Sequence, residues 1–293
     1  MKFHSIIPFL IALAACAGEP TAVRVAGLEN VFSLTERVLS GGTPEGEMGF
    51  AALRKLGVKT IVSVDGAPPD AAGARKFGLR TIHVPIGYDG VSAAKQLQLV
   101  KAAQSVDGPI YVHCHHGKHR GPTAAAIICE GISHWTPKQA TDWLKVAGTA
   151  RDYAGLYAAV SEFKAPTAEQ LRAASAEFPE RVKVSDHADA MVLVDEQFEQ
   201  LKLLQKSAWS APAAHPDLVG KNVALLLRES FRELVRRDDS KAKGADFLSS
   251  LEASEALAAK LHQSLVDADS AKADTAMRDL AQQCTRCHKQ FRN

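Results

Sequence analysis

The 293-residue chain has almost no excess of charge of either sign: 35 basic and 33 acidic side chains leave a formal net charge of +2. That balance excludes a strongly basic nucleic-acid binder, and no nucleic-acid partner is expected. No internal repeat and no low-complexity tract is present, which excludes a collagen-like chain. Hydrophobic residues at 46% and charged residues at 23% exclude wholesale disorder. Beyond the N-terminus no stretch approaches the ~18 apolar residues of a membrane-spanning helix. Cysteine is scarce, five in all, too few for a disulfide framework in a chain of this length.

The length exceeds what one hydrophobic core usually organises, so two domains are expected. Residues 17–165 carry 16 basic and 13 acidic side chains, and residues 166–293 carry 18 and 20, so neither part is charged enough to name a partner. At the N-terminus, Lys2 and His4 precede an apolar run from Ile6 to Ala14, broken only by Pro8. This is a secretory h-region, too short to span a bilayer as a mature helix. Leu13-Ala14-Ala15-Cys16 also resembles a bacterial lipobox. That resemblance makes residues 1–16 a lipoprotein-type signal segment and Cys16 the lipidation site; the other reading, ordinary cleavage near Gly18, loses Cys16. The expectation is an exported, periplasmic protein held to a bacterial membrane by a lipid anchor. Export favours paired thiols. Even so, Cys114, Cys129, Cys284 and Cys287 are not read as structural disulfides, because two of them stand in a CxxC spacing beside a His.

Residues 17–165 alternate strand and helix signals. Val58 to Asp65 is a short β-branched run that ends in Asp-Gly and two prolines, and Leu79 to Pro85 and Pro109 to His113 read as further strands. Between them lie helical patterns over Glu47–Leu56, a helix capped by Ser92, an apolar helix Pro122–Gly131, and a helix opened by Thr136-Pro137 with Gln139 completing a capping box. The alternation predicts an α/β domain with a mainly parallel sheet covered by helices. A Pro/Ala/Glu-rich connector follows over 166–184, with a short helix starting at Thr167. Residues 185–293 hold four amphipathic stripes, from Met191-Val194-Phe198-Leu201 to Met277-Leu280-Cys284-Cys287-Phe291, which predict an all-α four-helix bundle.

The third strand runs into His113-Cys114-His115-His116-Gly117-Lys118-His119-Arg120, a Cys-x5-Arg loop ahead of a helix. A loop at a helix N-terminus aims several backbone N–H groups at one point, where the helix dipole also favours an anion. The same field favours a thiolate at Cys114. Arg120 can grip two oxygens of a phosphoryl group with its planar fork, and Gly117 lets the backbone turn closely around it. This loop, together with Asn30-Val31-Phe32, Leu39-Ser40-Gly41-Gly42, LGVKTIVSVD and His83-Val84-Pro85-Ile86, resembles the cysteine-based protein tyrosine phosphatases of the small dual-specificity type, over roughly Glu29 to Val160. The resemblance implies that Cys114 attacks phosphorus to form a phosphocysteine and that Arg120 binds the phosphoryl group. It makes His113, His115, His116, Gly117, Lys118 and His119 the phosphate-binding loop, with His113 orienting it. The family also uses an acid to protonate the leaving oxygen, and Asp89 is the carboxylate in the right interval; its other reading is an Asp-Gly turn residue.

One position departs from the family pattern. Ser or Thr commonly follows the Arg and assists phosphoenzyme breakdown; here it is Gly121, and Thr123 stands two positions late. The departure implies slow turnover or simple phosphate binding. The basic loop suits a polyphosphorylated small molecule at least as well as a phosphoprotein. A metal site from Cys114 and the histidines and a rhodanese-like sulfur transferase are competing readings of the loop. Cys129, about two turns along the next helix, is read as a core residue.

Near the C-terminus, Cys284-Thr285-Arg286-Cys287-His288 is a CxxCH haem c attachment motif. On a helix the two cysteines share a face and can form thioethers, and His288 stands beside them as proximal iron ligand. A redox dithiol or half a zinc site is the other meaning of CxxC, but no second Cys/His pair lies nearby. CHKQFR ending a C-terminal helix resembles class II cytochromes c, the cytochrome c prime type. This implies covalent haem c, with Met191 as a candidate sixth ligand or simply a core methionine. His187, His215 and His262 are weaker ligand candidates. The leading expectation is a phosphatase fused to a cytochrome for redox or gas sensing or electron transfer, with a phosphorylated substrate and an electron-transfer partner. The alternative is an electron-transfer or gas-binding cytochrome whose first domain binds phosphate without efficient turnover.

Overall fold

The computed structural model describes residues 19–182 and 187–291, so the signal segment and Cys16 lie outside the described residues. Six strands form one sheet: β1 (Thr21–Val25), β2 (Leu28–Ser33), β3 (Val38–Gly41), β4 (Thr60–Ser63), β5 (Arg80–His83) and β6 (Ile110–His113). Their spatial order is β1-β2-β3-β6-β4-β5. The pairings β3–β6, β6–β4 and β4–β5 are parallel, whereas β1–β2 and β2–β3 are antiparallel. The sheet is therefore mixed, and an N-terminal meander adds two strands to the parallel set expected from sequence. Alternation is poor there because β1 is largely exposed, so its burial leaves no clean two-residue period. The inner strands β3, β4 and β6 are buried along their whole length, which their Val/Ile/Leu content permits.

Seven helices accompany the sheet: α1 (Gly46–Lys55), α2 (Ala71–Lys76), α3 (Ala93–Gln104), α4 (Arg120–Ser133), α5 (Pro137–Val146), α6 (Ala154–Ser161) and α7 (Ala168–Ala173). Phe50 and Leu53 of α1 and Ala74 of α2 pack on one face, in a cluster with Ile61 and Tyr111. Residues of α3, α4, α5 and α6 form the larger core on the other. α4 is apolar on every side, with Ala124 to Cys129 all at 0% exposure, as befits a helix enclosed by neighbours. Trp143 of α5 donates its indole N–H to the Pro122 carbonyl at 3.0 Å, fixing α5 against the start of α4. Thr136 and Gln139 make the capping box that their spacing predicts. Beyond Ala165 the chain stays on this domain: the His83 N–H donates to the Pro179 carbonyl at 2.9 Å, and Phe178 joins the larger core.

The C-terminal part is helical: α8 (His187–Lys206), α9 (Gly220–Arg236), the short α10 (Asp238–Lys241), α11 (Ala245–Val266) and α12 (Ser270–Phe291). The apolar stripes meet in one cluster that includes Leu201, Leu227, Phe231, Leu251, Leu261, Leu280 and Cys287. Burying each such leucine stabilises the fold by about 1.5–3 kcal/mol. Gln205 and Trp209 both donate to Asp274 Oδ1, at 2.9 and 3.1 Å, so the end of α8 is pinned to the start of α12. Among the described residues no helix is long and apolar enough to cross a membrane.

Candidate active site

The C-terminal ends of the parallel strands β4 and β6 lie side by side, the place where open α/β sheets bind ligands. The loop from Cys114 to His119 leaves β6 there and enters α4, whose N-terminus has no side-chain cap. The loop carbonyls are held from outside. Thr43 donates its N–H to the His115 carbonyl at 2.9 Å and its hydroxyl to the Cys114 carbonyl at 3.3 Å. Asn30 Nδ2 donates to the Gly117 carbonyl at 2.8 Å, and the Thr149 hydroxyl donates to the Lys118 carbonyl at 2.6 Å. Because N–H and C=O of a trans peptide point in opposite directions, carbonyls drawn outward turn the amides toward the loop's centre. Gly117 has φ +65°, and a Cβ there would sit 2.3 Å from the Gly41 carbonyl carbon, so only glycine fits the tight curve.

Arg120 lies under this cradle and is 2% exposed. Its Nη2 donates to Glu233 of α9 at 2.6 Å and to Asp65, just past β4, at 3.4 Å. Its guanidinium carbon is 4.2 Å from the Tyr88 ring centre. Its Nε is buried with no hydrogen-bond partner. A buried guanidinium N–H left unpaired is a donor that an anion could satisfy. Cys114 is also buried. His113 is enclosed, its Nδ1 3.3 Å from the Cys114 carbonyl and its ring stacked on Tyr111, which suits it to shaping the loop.

Asp89 is exposed and next to Tyr88, on the loop that crosses Arg120. Asp65 is the residue that sequence reasoning passed over. It was read as the end of a strand, yet it also takes Arg236 Nη1 of α9 on its second oxygen at 3.1 Å. Burial alone would raise its carboxyl, but Arg120 and Arg236 outweigh that and hold it well below the usual carboxylate range. An Asp ending a buried parallel strand just before Gly66 was the available signal. Glu233 and Arg236 carried none, because they lie more than a hundred residues from the loop in sequence.

The loop histidines contribute less charge than their number suggests. Burial, then Arg120, pushes the His119 imidazole down to about 3, and burial pushes that of His113 down to about 4. Desolvation and the Arg236 cation take His115 to about 4, and His116 is also lowered. The loop is therefore less basic at neutral pH than its composition predicts. It also implies acid sensitivity. A histidine in the unfolded chain protonates near pH 6.5, whereas His113 and His119 resist until about 4 and 3. At these two groups the unfolded state binds more protons through that interval, so their contribution to stability falls as pH drops from 6.5 to 4, opposed in part by Glu130, whose carboxyl burial raises to about 8. The slope is roughly 1.4 kcal/mol per pH unit for each such group. The depressed Asp65 carboxyl contributes stability that is present above the ordinary carboxylate range and is lost only as pH falls through its folded value, below this window. Urea unfolding at pH 7, 5.5 and 4.5 checks this, and equal stabilities at all three contradict it.

Gly121 follows Arg120, and a Cβ there would lie 2.9 Å from the Cys114 nitrogen and 3.3 Å from its sulfur. The Thr123 hydroxyl is committed to the His119 carbonyl at 3.1 Å. Cys129 is fully buried in the larger core, and burial pushes its thiol up. Among the described residues no group of three or more His, Cys, Asp or Glu could hold a metal ion.

In the helical part, Cys287 is buried and Cys284 half-buried, both on the cluster that Met191, Phe198 and Phe291 also pack against. Both cysteines are free. Burial, and then the neighbouring Cys287, pushes the Cys284 thiol up to about 11. His288 is exposed. A groove of about 540 Å³ lies between α8 and α12, lined by Phe198, Met277 and Ala281 with Lys202 and Arg278 among its polar residues. Cys284 follows Ala281 by three positions and Met277 by seven, so all three share one face of α12. The groove is amphipathic, with Gln205 and Asp274 also on its wall, and neither Cys284 nor Cys287 lines it.

No family model matches the chain. Two curated relatives, both dual specificity protein phosphatase TpbA, come from Pseudomonas aeruginosa strains UCBPP-PA14 and PAO1. Each is 26% identical over 121 residues, covering 41% of this chain and 55% of the relative. The chain thus spans about half the length of the curated relatives it matches. The crystal structure of P. aeruginosa TpbA is 24% identical with a TM-score of 0.44, and the match covers 54% of this chain and 96% of that one. The N-terminal part of the chain is thus similar to dual-specificity phosphatases over 121 residues.

Proposed function

We propose that this protein hydrolyses phosphomonoesters through a phosphocysteine and carries covalent haem c in its helical part, built as a four-helix bundle. The observation that supports the first half is the unpartnered Arg120 Nε in a loop whose carbonyls are turned outward. Cys114 Sγ, as thiolate, attacks phosphorus; a P–S bond forms as the bond to the leaving oxygen breaks. Arg120 and the loop amides take the charge that builds on the equatorial oxygens. Asp89 gives its proton to the leaving oxygen, then accepts one from the water that breaks the P–S bond and releases inorganic phosphate. The substrate is a phosphoprotein or a polyphosphorylated small molecule. The test is release of phosphate from a generic aryl phosphate by the full chain, with inhibition by tungstate; no release and no tungstate binding reject this reading.

The second reading, phosphate binding without efficient turnover, is favoured by Gly121 and by the committed Thr123 hydroxyl. It predicts a burst of about one equivalent of leaving group followed by a slow steady rate, because attack by Cys114 needs no residue-121 hydroxyl whereas breakdown is assisted by one. Gly121→Ser is expected not to raise the steady rate, since its Cβ crowds the Cys114 nitrogen and sulfur. Stopped-flow release with an aryl phosphate measures both phases.

In the helical part, Cys284 and Cys287 would hold haem c through thioethers, with His288 as proximal ligand and Met191 as sixth-ligand candidate. The haem supplies an iron centre for electron transfer to a redox partner or for binding a small gas. Residues 1–16 serve as an export signal and Cys16 as a lipid anchor to a periplasmic membrane face. Mass spectrometry of the mature N-terminus tests this: an unlipidated terminus at or beyond Ala17 refutes the anchor.

A further inference from the structure

Helix α9 lies across the mouth of the phosphatase-like site. Leu225 packs on Tyr153 and Leu156 in a small apolar cluster apart from the helical core. The Tyr153 hydroxyl donates to Glu229 at 3.2 Å, and Lys221 donates to Asp152 at 2.9 Å. Two turns along, Glu233 reaches the Arg120 guanidinium at 2.6 Å, and Arg236 reaches Asp65 at 3.1 Å while also bonding Glu233. Asp65, Arg120, Glu233 and Arg236 thereby close a ring of two carboxylates and two guanidiniums. Glu233 also fills the space over Gly66, where a Cβ would clash with its Oε2 at 2.3 Å.

A phosphoryl group is gripped best when Nε and Nη2 of an arginine fork donate to two of its oxygens. Here Nη2 is held by a carboxylate that is itself pinned by Arg236, so the Nε–Nη2 pair cannot both turn to a phosphoryl group while Glu233 stays. Tyr88 covers one face of the same guanidinium. The result is an arginine 2% exposed and a cysteine 3% exposed. Burial pushes the Glu233 carboxyl up, against the pull of Arg120 and Arg236; with both carboxylates ionised the ring is neutral, and a phosphate dianion beside them would add two negative charges to an enclosed site.

The geometry points to Glu233 as an internal competitor of the substrate: while α9 is docked its carboxylate holds the Arg120 fork, and the phosphatase site opens when the helical part shifts away. This rests on the phosphatase reading above. It makes the helical part, with whatever it binds, the regulator of the enzyme by a named contact. Undocking exposes the loop to a substrate too large for the roughly 190 Å³ cavity that remains beside His115 and His116.

The test uses the full chain, with inorganic tungstate as the oxyanion probe and an aryl phosphate as substrate. Glu233→Gln keeps the shape and removes the charge. Leu225→Asp undocks α9 without touching either the Arg120 fork or the helical core. Both variants are expected to bind tungstate at least tenfold tighter than the wild type, with a lower KM and no loss of kcat. Unchanged tungstate affinity in both, with hydrolysis intact, overturns the latch and leaves the phosphatase reading standing. A fall in kcat at unchanged tungstate affinity also overturns it and makes Glu233 a positioning residue that holds Arg120 for catalysis. If neither the wild type nor the variants bind tungstate or release phosphate, the phosphatase reading fails and the latch fails with it.

Discussion

Cys114→Ser in the full chain is expected to reduce steady release of phosphate from an aryl phosphate by roughly a thousandfold or more, about 4 kcal/mol of barrier. The sulfur is replaced by a smaller oxygen that is hardly ionised, so the loop keeps its shape and loses its nucleophile. Tungstate binding therefore persists in this variant. Arg120→Lys is expected to behave differently. An ammonium cannot donate from two parallel N–H groups, and it cannot satisfy Asp65, Glu233 and an oxyanion together. It should weaken tungstate binding and slow hydrolysis together, each by at least about tenfold, or about 1.4 kcal/mol. Isothermal titration with tungstate beside initial-rate kinetics separates the two effects. Wild-type rates in Cys114→Ser would falsify the phosphocysteine mechanism outright.

The parts of this site that were legible in sequence are those built from neighbours along the chain. The strand, loop and helix from Ile110 to Ser133 place Cys114, Gly117 and Arg120 by local geometry alone, and the spacing of the motif encodes that geometry directly. Asn30 and Thr43 clamp the loop across the sheet, and their roles depend on β3 lying beside β6, a pairing that joins residues about seventy apart. Glu233 and Arg236 lie beside the apolar stripe of an amphipathic helix. A salt-bridging residue and a solvated one look alike until the packing partner is known, so nothing in the helical period distinguishes them. The charge of the loop was misjudged for a related reason. Counting histidines gives a formal composition, whereas desolvation at His119 and His113 and the cations around them decide how many carry a proton.

In the helical part the largest effect is expected from Cys284→Ala with Cys287→Ala. Each thiol would add across one vinyl group with nothing leaving, so either cysteine alone would still hold the haem and only the double variant would release it. Acid precipitation followed by organic extraction should leave haem with the wild-type protein and remove it from the double variant. His288→Ala separates bonding from ligation: its haem stays attached, but the absorption spectrum of the ferrous form changes because the proximal nitrogen is gone. Met191→Ala tests the second axial position in the same spectrum. The helix directions support placing it there. Gln205 meets Asp274 and Phe198 shares a groove with Ala281, so α8 and α12 run antiparallel and the Met191 end of α8 lies toward the His288 end of α12. A ferrous spectrum unaffected by Met191→Ala returns that methionine to the core, where it packs on the same cluster as Cys284. Haem extracted freely from the wild type removes the cytochrome reading altogether, and returns Cys284 and Cys287 to the apolar cluster as packing residues.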